Sequence, residues 1–225
     1  MEHAAPPAWS MLAYLVSGVF FILALRGLSS PATSQRGNRF GMAGMLIAVV
    51  TTLITHVPAV YTGPFEPFKP DMGAIAWILG AIGLGAAIGI VTARRIAMTD
   101  MPQLVAAFHS LVGLAAVLVA AAAFLNPEAF GIADDAGLIF TQSRIEMGLG
   151  IAIGAITFSG SVIAFLKLAG KMSGAPIMLP GRHVINLGIL AGIIGLVAYF
   201  TQDQSPWIFW TITGLSFLIG FLLII

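Results

Sequence analysis

Residues 102–125 read PQLVAAFHSLVGLAAVLVAAAAFL, a run of 24 residues without Asp, Glu, Lys or Arg. About 20 consecutive apolar residues are enough for an α-helix to cross the hydrocarbon core of a membrane. The rest of the chain has the same character, because 59% of its 225 residues are hydrophobic and only 8% are charged. Soluble domains carry roughly 25% charged residues. The composition therefore predicts an all-α integral membrane protein.

Six further apolar runs of similar length occur along the chain. Backbone groups in lipid must form their hydrogen bonds within one segment, which favours helices over isolated strands. We predict a bundle of about seven transmembrane helices and no soluble nucleotide-binding domain in residues 1–225. The predicted helices cover residues 8–28, 40–57, 73–92, 102–125, 145–168, 184–201 and 206–225.

The loops between these segments alternate in charge. Eight of the ten basic residues fall in the first, third and fifth loops: Arg26, Arg36, Arg39, Arg94, Arg95, Lys167, Lys171 and Arg182. The second, fourth and sixth loops hold most of the acidic residues: Glu66, Asp71, Glu128, Asp134, Asp135 and Asp203. Basic loops stay on the cytoplasmic side of a membrane. The pattern predicts that the odd loops are cytoplasmic and that the N-terminus is outside.

His109 is an ionisable residue inside the fourth segment. It follows Pro102 by seven residues, or about 10 Å of helix, within the hydrocarbon. Gly113 and Ala116 share its side of the helix, whereas the leucines of this segment lie opposite, so we expect His109 to point into the bundle. An ionisable residue in a membrane is a candidate functional site. Histidine exchanges protons near neutral pH, but a neutral, hydrogen-bonded structural histidine is an equal alternative.

A metal role for His109 is disfavoured. No His, Asp or Glu lies three or four residues away on the same face, where a second metal ligand would be expected. The chain has no cysteine either. We predict no metal site, and nothing in the sequence points to a nucleic-acid partner.

The fifth segment carries small and hydroxyl residues on one face: Gly150, Gly154, Thr157 and Ser161. Ser161 lies at about the depth of His109 when measured from the cytoplasmic side. The two residues could line one half-channel, although close helix packing explains the same pattern. Glu146 is predicted at the outer start of this helix, where an anion is favourable and where protons could be taken up. His183, beside Arg182 at the cytoplasmic boundary, is a weaker candidate.

Four stretches of sequence are distinctive: GNRFGMAGM at 37–45, MTDMPQLV at 98–105 with FHSLVGLAAVL at 108–118, GAITFSGSVIAF at 154–165, and KMSGAPIMLP at 171–180 with Arg182, His183 and Asn186 beyond it. Their order and spacing resemble the membrane domain of the proton-translocating NAD(P) transhydrogenase β subunit. The resemblance covers nearly the whole chain. In that family, hydride passes between NADH and NADP⁺ in soluble domains while a proton crosses the membrane domain.

The resemblance implies roles for particular residues. His109 matches the family's intramembrane proton-handling histidine, and Ser161 matches its channel-lining serine. His183 and Glu146 match positions implicated less directly. Gln103 departs from the pattern, because many relatives have an acidic residue at this position. The polar entry to the channel would therefore differ here from that of those relatives.

The resemblance also implies partners that these 225 residues do not contain. The family's β subunit continues with further helices, including one whose asparagine partners the histidine, and with an NADP(H)-binding domain. We expect no cofactor on this chain, with NAD and NADP(H) held in partner domains. The expected partners are the transhydrogenase α subunit and the remainder of the β subunit, in a dimer of the complex in the bacterial inner membrane. The chain ends at Ile225 within an apolar segment, so we expect a longer chain or a second one to complete it.

A different class of function remains open from the sequence. The chain could be a non-enzymatic membrane scaffold or a subunit of a small-solute transporter. Transporters commonly show internal repeats and broken helices near the membrane midplane. The sequence shows no internal repeat. Its prolines fall in loops and at helix starts, so it shows no sign of broken helices either.

Overall fold

The computed structural model describes residues 7–60, 69–175 and 180–225, without the side chains of Ala59 and Val60. Glu66, one of the acidic loop residues, lies outside the described residues, as does part of the stretch 171–180. The described chain is 79% helical. It contains seven helices that are long and apolar enough to cross a membrane, which confirms the predicted fold class.

The helices follow one another along the chain, with three connections of five residues and three of 13 to 16 residues. A two-residue antiparallel pairing joins β1 (Ala59–Val60) to β2 (Lys69–Pro70), and a 3₁₀ turn at Met98–Asp100 precedes the fourth helix. The helices are α1 (Ala8–Leu28), α2 (Ser34–Thr55), α3 (Met72–Arg95), α4 (Met101–Leu125), α5 (Thr141–Leu168), α6 (Arg182–Phe200) and α7 (Pro206–Ile224).

Two helices begin a full turn or more before the apolar runs predict. α2 begins at Ser34 rather than at residue 40, and α5 begins at Thr141 rather than at 145. Polar residues make up both added turns, so hydropathy detects the apolar part of each helix and misses the turns that extend beyond it. α2 also ends at Thr55, before the predicted residue 57, because the proline at 58 disfavours helical backbone at Val57.

The chain divides into two compact units, Met1–Arg94 and Arg95–Ile225. In the first unit α1 and α2 form an antiparallel hairpin. Buried Ser17 donates a hydrogen bond from its Oγ to the carbonyl oxygen of Gly44 at 2.7 Å, and the rings of Phe20 and Phe40 lie 5.7 Å apart. In lipid, such small-residue contacts and interhelical hydrogen bonds hold helices together. α3 buries no residue among those described.

α5 is the central helix of the second unit. It packs against α4, α6 and α7. Gly148 of α5 lies against Val197 of α6, where an added Cβ would approach Val197 Cγ1 to 3.0 Å. At one end of the unit Phe124, Phe200 and Phe209 form an aromatic cluster, in which the rings of Phe124 and Phe209 stack at 4.3 Å. α5 is thus the element against which the other helices are positioned, and the aromatic cluster joins those helices to one another.

The loop from 126 to 140 is tied to the connection between α6 and α7 by one side chain. Gln204 accepts a hydrogen bond from the Ile139 backbone N–H at 2.9 Å through Oε1, and its Nε2 donates to the Gly137 carbonyl oxygen at 3.3 Å. Arg144 Nε donates to the Ile139 carbonyl oxygen at 2.8 Å. The amide and the guanidinium together hold the loop against the start of α5, and this orients the first turns of that helix.

Candidate functional site

α4 brings His109 into the second unit through an unusual start. The helix has a proline in its first turn, but neither Thr99 nor Asp100 makes a side-chain capping hydrogen bond to it. Asp100 has φ −95° and ψ 0°, whereas a capping residue needs extended backbone. The preceding 3₁₀ turn imposes this conformation. His109 follows Met101 by eight residues, or about 12 Å along the helix.

His109 lines a cavity of about 250 Å³ formed by α4, α5 and α7. Thr157, Gly160 and Ser161 of α5 line the same cavity, with Gly220 and Ile224 of α7 on its far side. Ser161 lies seven residues before the end of α5 at Leu168, or about 10 Å along that helix. The ring and the Ser161 hydroxyl therefore lie at similar depth around one space, and the Thr157 hydroxyl lies about one turn deeper. The imidazole is exposed in this chain because the cavity is open.

The remainder of α4 separates into a packed face and an open face. Ser110, Gly113, Val117 and Ala120 are buried, whereas Leu111 and Leu118 are 58% and 60% exposed. The leucines therefore face outward, opposite the small residues, as the sequence suggests. His109 lies at the edge of the packed face, beside the groove between α4 and α5.

Glycines set the distance between α4 and α5. A Cβ added at Gly113 would lie 2.5 Å from the backbone nitrogen of Phe158, and one added at Gly154 would lie 2.9 Å from the Cβ of Ala116. Gly150 differs, because nothing among the described residues lies within 4 Å of its Cβ position. Gly154 thus acts in packing, while Gly150 belongs to an open surface of α5.

Glu146 is not at the N-terminus of its helix. α5 begins at Thr141, which puts Glu146 in the second turn, where the favourable effect of the helix dipole on an anion is weaker. Its carboxylate accepts a hydrogen bond from Gln142 Nε2 at 2.9 Å. Glu146 lines a second cavity, of about 480 Å³, with Ala116, Ala120 and Gly150.

The two cavities lie along one face of α5. Glu146, Gly150, Thr157 and Ser161 fall within a sector of about 60° at 3.6 residues per turn. Ile153, which is 63% exposed, projects from nearly the same face between them. The sequence singles out Glu146 and the hydroxyl stripe as separate features. Their shared face follows from their spacing, but the cavities require the packed helices.

α7 is the part of the site that the sequence did not reveal. Gly220 packs so closely on α5 that a Cβ there would collide with Ser159 Oγ and the Ile156 backbone. Lys167 Nζ donates a hydrogen bond to the Ile224 carbonyl oxygen at 2.7 Å, joining the ends of α5 and α7. A small residue at 220, one turn beyond Ser216, is the only signal of this contact in the sequence.

Other candidates lie apart from this cavity. His183 is exposed in the first turn of α6 and does not line the cavity of His109. Within the described residues, no group of three His, Cys, Asp or Glu side chains could hold a metal ion.

Comparison with known proteins identifies a family. A family model described as NAD(P) transhydrogenase beta subunit matches residues 10–225. Two relatives in Rhodospirillum rubrum, each named NAD(P) transhydrogenase subunit beta, are 52% identical to this chain over 216 residues. The match covers 96% of this chain and 43% of each relative, so the chain spans less than half the length of these relatives.

Proposed function

Because this chain belongs to the NAD(P) transhydrogenase beta-subunit family, we propose that it forms part of the proton-translocating membrane domain of such an enzyme. Its helices carry a proton across the membrane, and this passage is coupled to hydride transfer from NADH to NADP⁺ in partner domains. The chain supplies the membrane path, and the partner domains supply the nucleotide sites.

His109 is the proton carrier in this proposal. The observation that carries it is the cavity that the imidazole shares with Thr157 and Ser161. An imidazole both accepts and donates a proton, and hydroxyl groups can relay hydrogen bonds to it or to water. His109 takes a proton from the outer side and releases it toward the cytoplasm. The state of the NADP(H) site on a partner changes the access of protons to His109 or the proton affinity of His109. This is a coupling between two sites.

Ser161 lines the channel and maintains the hydrogen-bonded path to His109. Replacing Ser161 with alanine removes one hydroxyl from the cavity at almost constant volume. A lost hydrogen bond costs about 1 kcal/mol, so we expect proton transport to slow by roughly five- to tenfold. Transport is measured with the assembled enzyme in vesicles that contain a pH-sensitive dye.

Ser159→Ala is the matched control for this measurement. Ser159 is on the same helix, but its Oγ is buried and donates to the Ala155 carbonyl oxygen at 2.8 Å. The control should transport protons at the unmodified rate. Equal slowing in both variants would mean that the stripe acts only in packing.

Glu146 is the point of proton uptake in the outer half of the membrane. Its cavity lies on the α5 face that also carries Thr157 and Ser161, and the carboxylate is exposed there. Glu146→Gln keeps the shape and removes the charge. We expect proton uptake from the outer side to slow by about tenfold, less than the roughly 10²- to 10⁴-fold loss of an enclosed proton-transfer group, because water still reaches this exposed position.

Glu128→Gln provides the control for Glu146. Glu128 is exposed in the loop before α5 and does not line the cavity. The measurement is the initial rate of acidification or alkalinisation of vesicles at several outer pH values. If both variants reduce the rate equally, the effect is one of general surface charge and Glu146 has no specific role.

The wider assembly follows from the same assignment. We infer that the transhydrogenase α subunit and the remainder of the β subunit, with its NADP(H)-binding domain, complete the enzyme as a dimer of the complex in the bacterial inner membrane. His183, at the start of α6, is on the expected cytoplasmic side, where it could sense that domain. The α4–α7 helices are continuous, whereas many transporters have broken helices at the midplane, so a solute-transporter role is less well supported.

A further inference from the structure

The end of the α1–α2 hairpin, in the first unit, forms a further cavity. Gly27 and Gly37 bring the two helices together there, since a Cβ added at Gly27 would lie 2.5 Å from the Gly37 Cα. Beside this contact is a cavity of about 350 Å³. Its lining consists of Leu23, Arg26, Gly27, Thr33, Arg36 and Phe40.

The side chains that line this cavity carry two positive charges and no negative one. Residues 3–65 contain no Asp or Glu, and within the described chain neither Arg26 nor Arg36 forms an ion pair. Cations normally avoid the N-terminus of a helix, where the helix dipole is positive. α2 nevertheless has no acidic residue in its first turn and has Arg36 as its third residue. An anion in the cavity would remove this electrostatic conflict.

The N-terminus of α2 has free donors for such an anion. Thr33, the residue before the helix, makes no side-chain capping hydrogen bond. Its Oγ1 instead donates to the Gly27 carbonyl oxygen at 2.6 Å. The backbone N–H groups of the first turn therefore lack the acceptor that a capping side chain usually provides. Uncapped N–H groups beside two guanidinium groups are chemistry that suits a phosphate.

The cavity is also apolar on one side. Leu23 lies one turn deeper in α1 than Arg26, and Phe40 lies one turn deeper in α2 than Arg36. The Arg36 guanidinium lies 5.5 Å from the centre of the Phe40 ring, a distance at which a cation and an aromatic ring attract. A phosphate group at the rim and an acyl chain toward the membrane would match both parts of this lining.

We propose that this cavity binds the phosphate group of an anionic membrane phospholipid. Arg26 and Arg36 contact the phosphate with the N-terminus of α2, and the acyl region packs on Leu23 and Phe40. A free phosphate ion shares the charged part of this recognition but not the apolar part. Basic pockets between transmembrane helices bind anionic lipid headgroups in the same way.

The test uses the assembled complex, stripped of native lipid in detergent and titrated with phosphatidylglycerol or phosphatidylcholine. Bound lipid is counted by mass spectrometry of the intact complex. We expect the unmodified complex to retain phosphatidylglycerol in preference to phosphatidylcholine. Loss of the hydrogen bond from each guanidinium to the phosphate weakens affinity by about fivefold, so Arg26→Gln with Arg36→Gln should weaken phosphatidylglycerol binding by about 25-fold.

Arg39→Gln is the matched control, because Arg39 is exposed on α2 and does not line the cavity. It should retain most of the binding. Equal loss with Arg39→Gln, or equal retention of the two lipids by the unmodified complex, would overturn the proposal. Inorganic phosphate that displaces the lipid and binds equally well would assign the site to a free anion instead. If Ser34 cross-linked to a soluble partner domain and the bound lipid was lost, that result would also overturn the proposal.

Discussion

Replacing His109 with leucine is expected to abolish coupled proton transport while the helices still assemble. Leucine occupies a similar volume but cannot hold a proton, and the exposed, cavity-lining position of His109 tolerates an apolar side chain. Loss of a positioned proton-transfer group typically costs a factor of about 10² to 10⁴ in rate. We therefore expect proton movement in the assembled enzyme to fall by at least about 100-fold.

The measurement follows two signals in the same vesicles. One is hydride transfer between the nicotinamide nucleotides, and the other is proton movement reported by a pH-sensitive dye. Phe108→Leu is the control, because Phe108 is adjacent, 41% exposed and outside the cavity lining. It should leave both signals unchanged. If proton movement stayed fully coupled to hydride transfer in the His109 variant, His109 would not be the proton carrier.

Enlarging Gly113 by one methyl group is expected to destabilise the packing of α4 against α5. The added Cβ would lie 2.5 Å from the Phe158 backbone nitrogen and 2.7 Å from the Gly154 carbonyl oxygen. Both neighbours are backbone atoms of α5, so neither can rotate away and the helices must separate. Overpacking of this kind lowers the free energy of unfolding by about 1–3 kcal/mol. Contacts between α4 and α5 near His109 would also be lost.

Gly150→Ala serves as the control for Gly113→Ala. Gly150 is in α5, and no described atom lies within 4 Å of its Cβ position. Alanine there should be neutral, or stabilising by up to about 1 kcal/mol, since alanine favours helix over glycine. Both variants are compared by thermal unfolding in one detergent, with the assembled complex. Equal stability of the two would show that α4 and α5 are less closely packed than these distances indicate.

Hydropathy along the chain is sufficient to determine much of the fold. Each transmembrane helix requires a continuous apolar run, and this signal is local, so seven runs specify seven helices. The same locality explains the errors at helix ends. The polar turns at Ser34 and Thr141 lie outside the apolar runs, and the 3₁₀ turn before α4 depends on backbone geometry that single residue types do not specify.

The identity of His109 as a candidate also came from the sequence. An ionisable residue among small side chains, within a segment of leucine and alanine, is conspicuous in lipid because burying it is costly. Helical periodicity then related Gly150, Thr157 and Ser161 to one face. Order and spacing of four stretches were enough to indicate the family, which the comparison with Rhodospirillum rubrum relatives established.

Only the tertiary structure decided which surfaces meet. The cavity of His109 needs Gly220 and Ile224 of α7, more than 100 residues along the chain from His109. Similarly, Gly27 and Gly37 pair because the α1–α2 hairpin brings them together. Such contacts depend on how small residues on different helices interdigitate, and in lipid no difference in apolarity selects one pairing over another. The sequence therefore determined the helices and the chemistry that they carry, and packing determined which of those groups share a space.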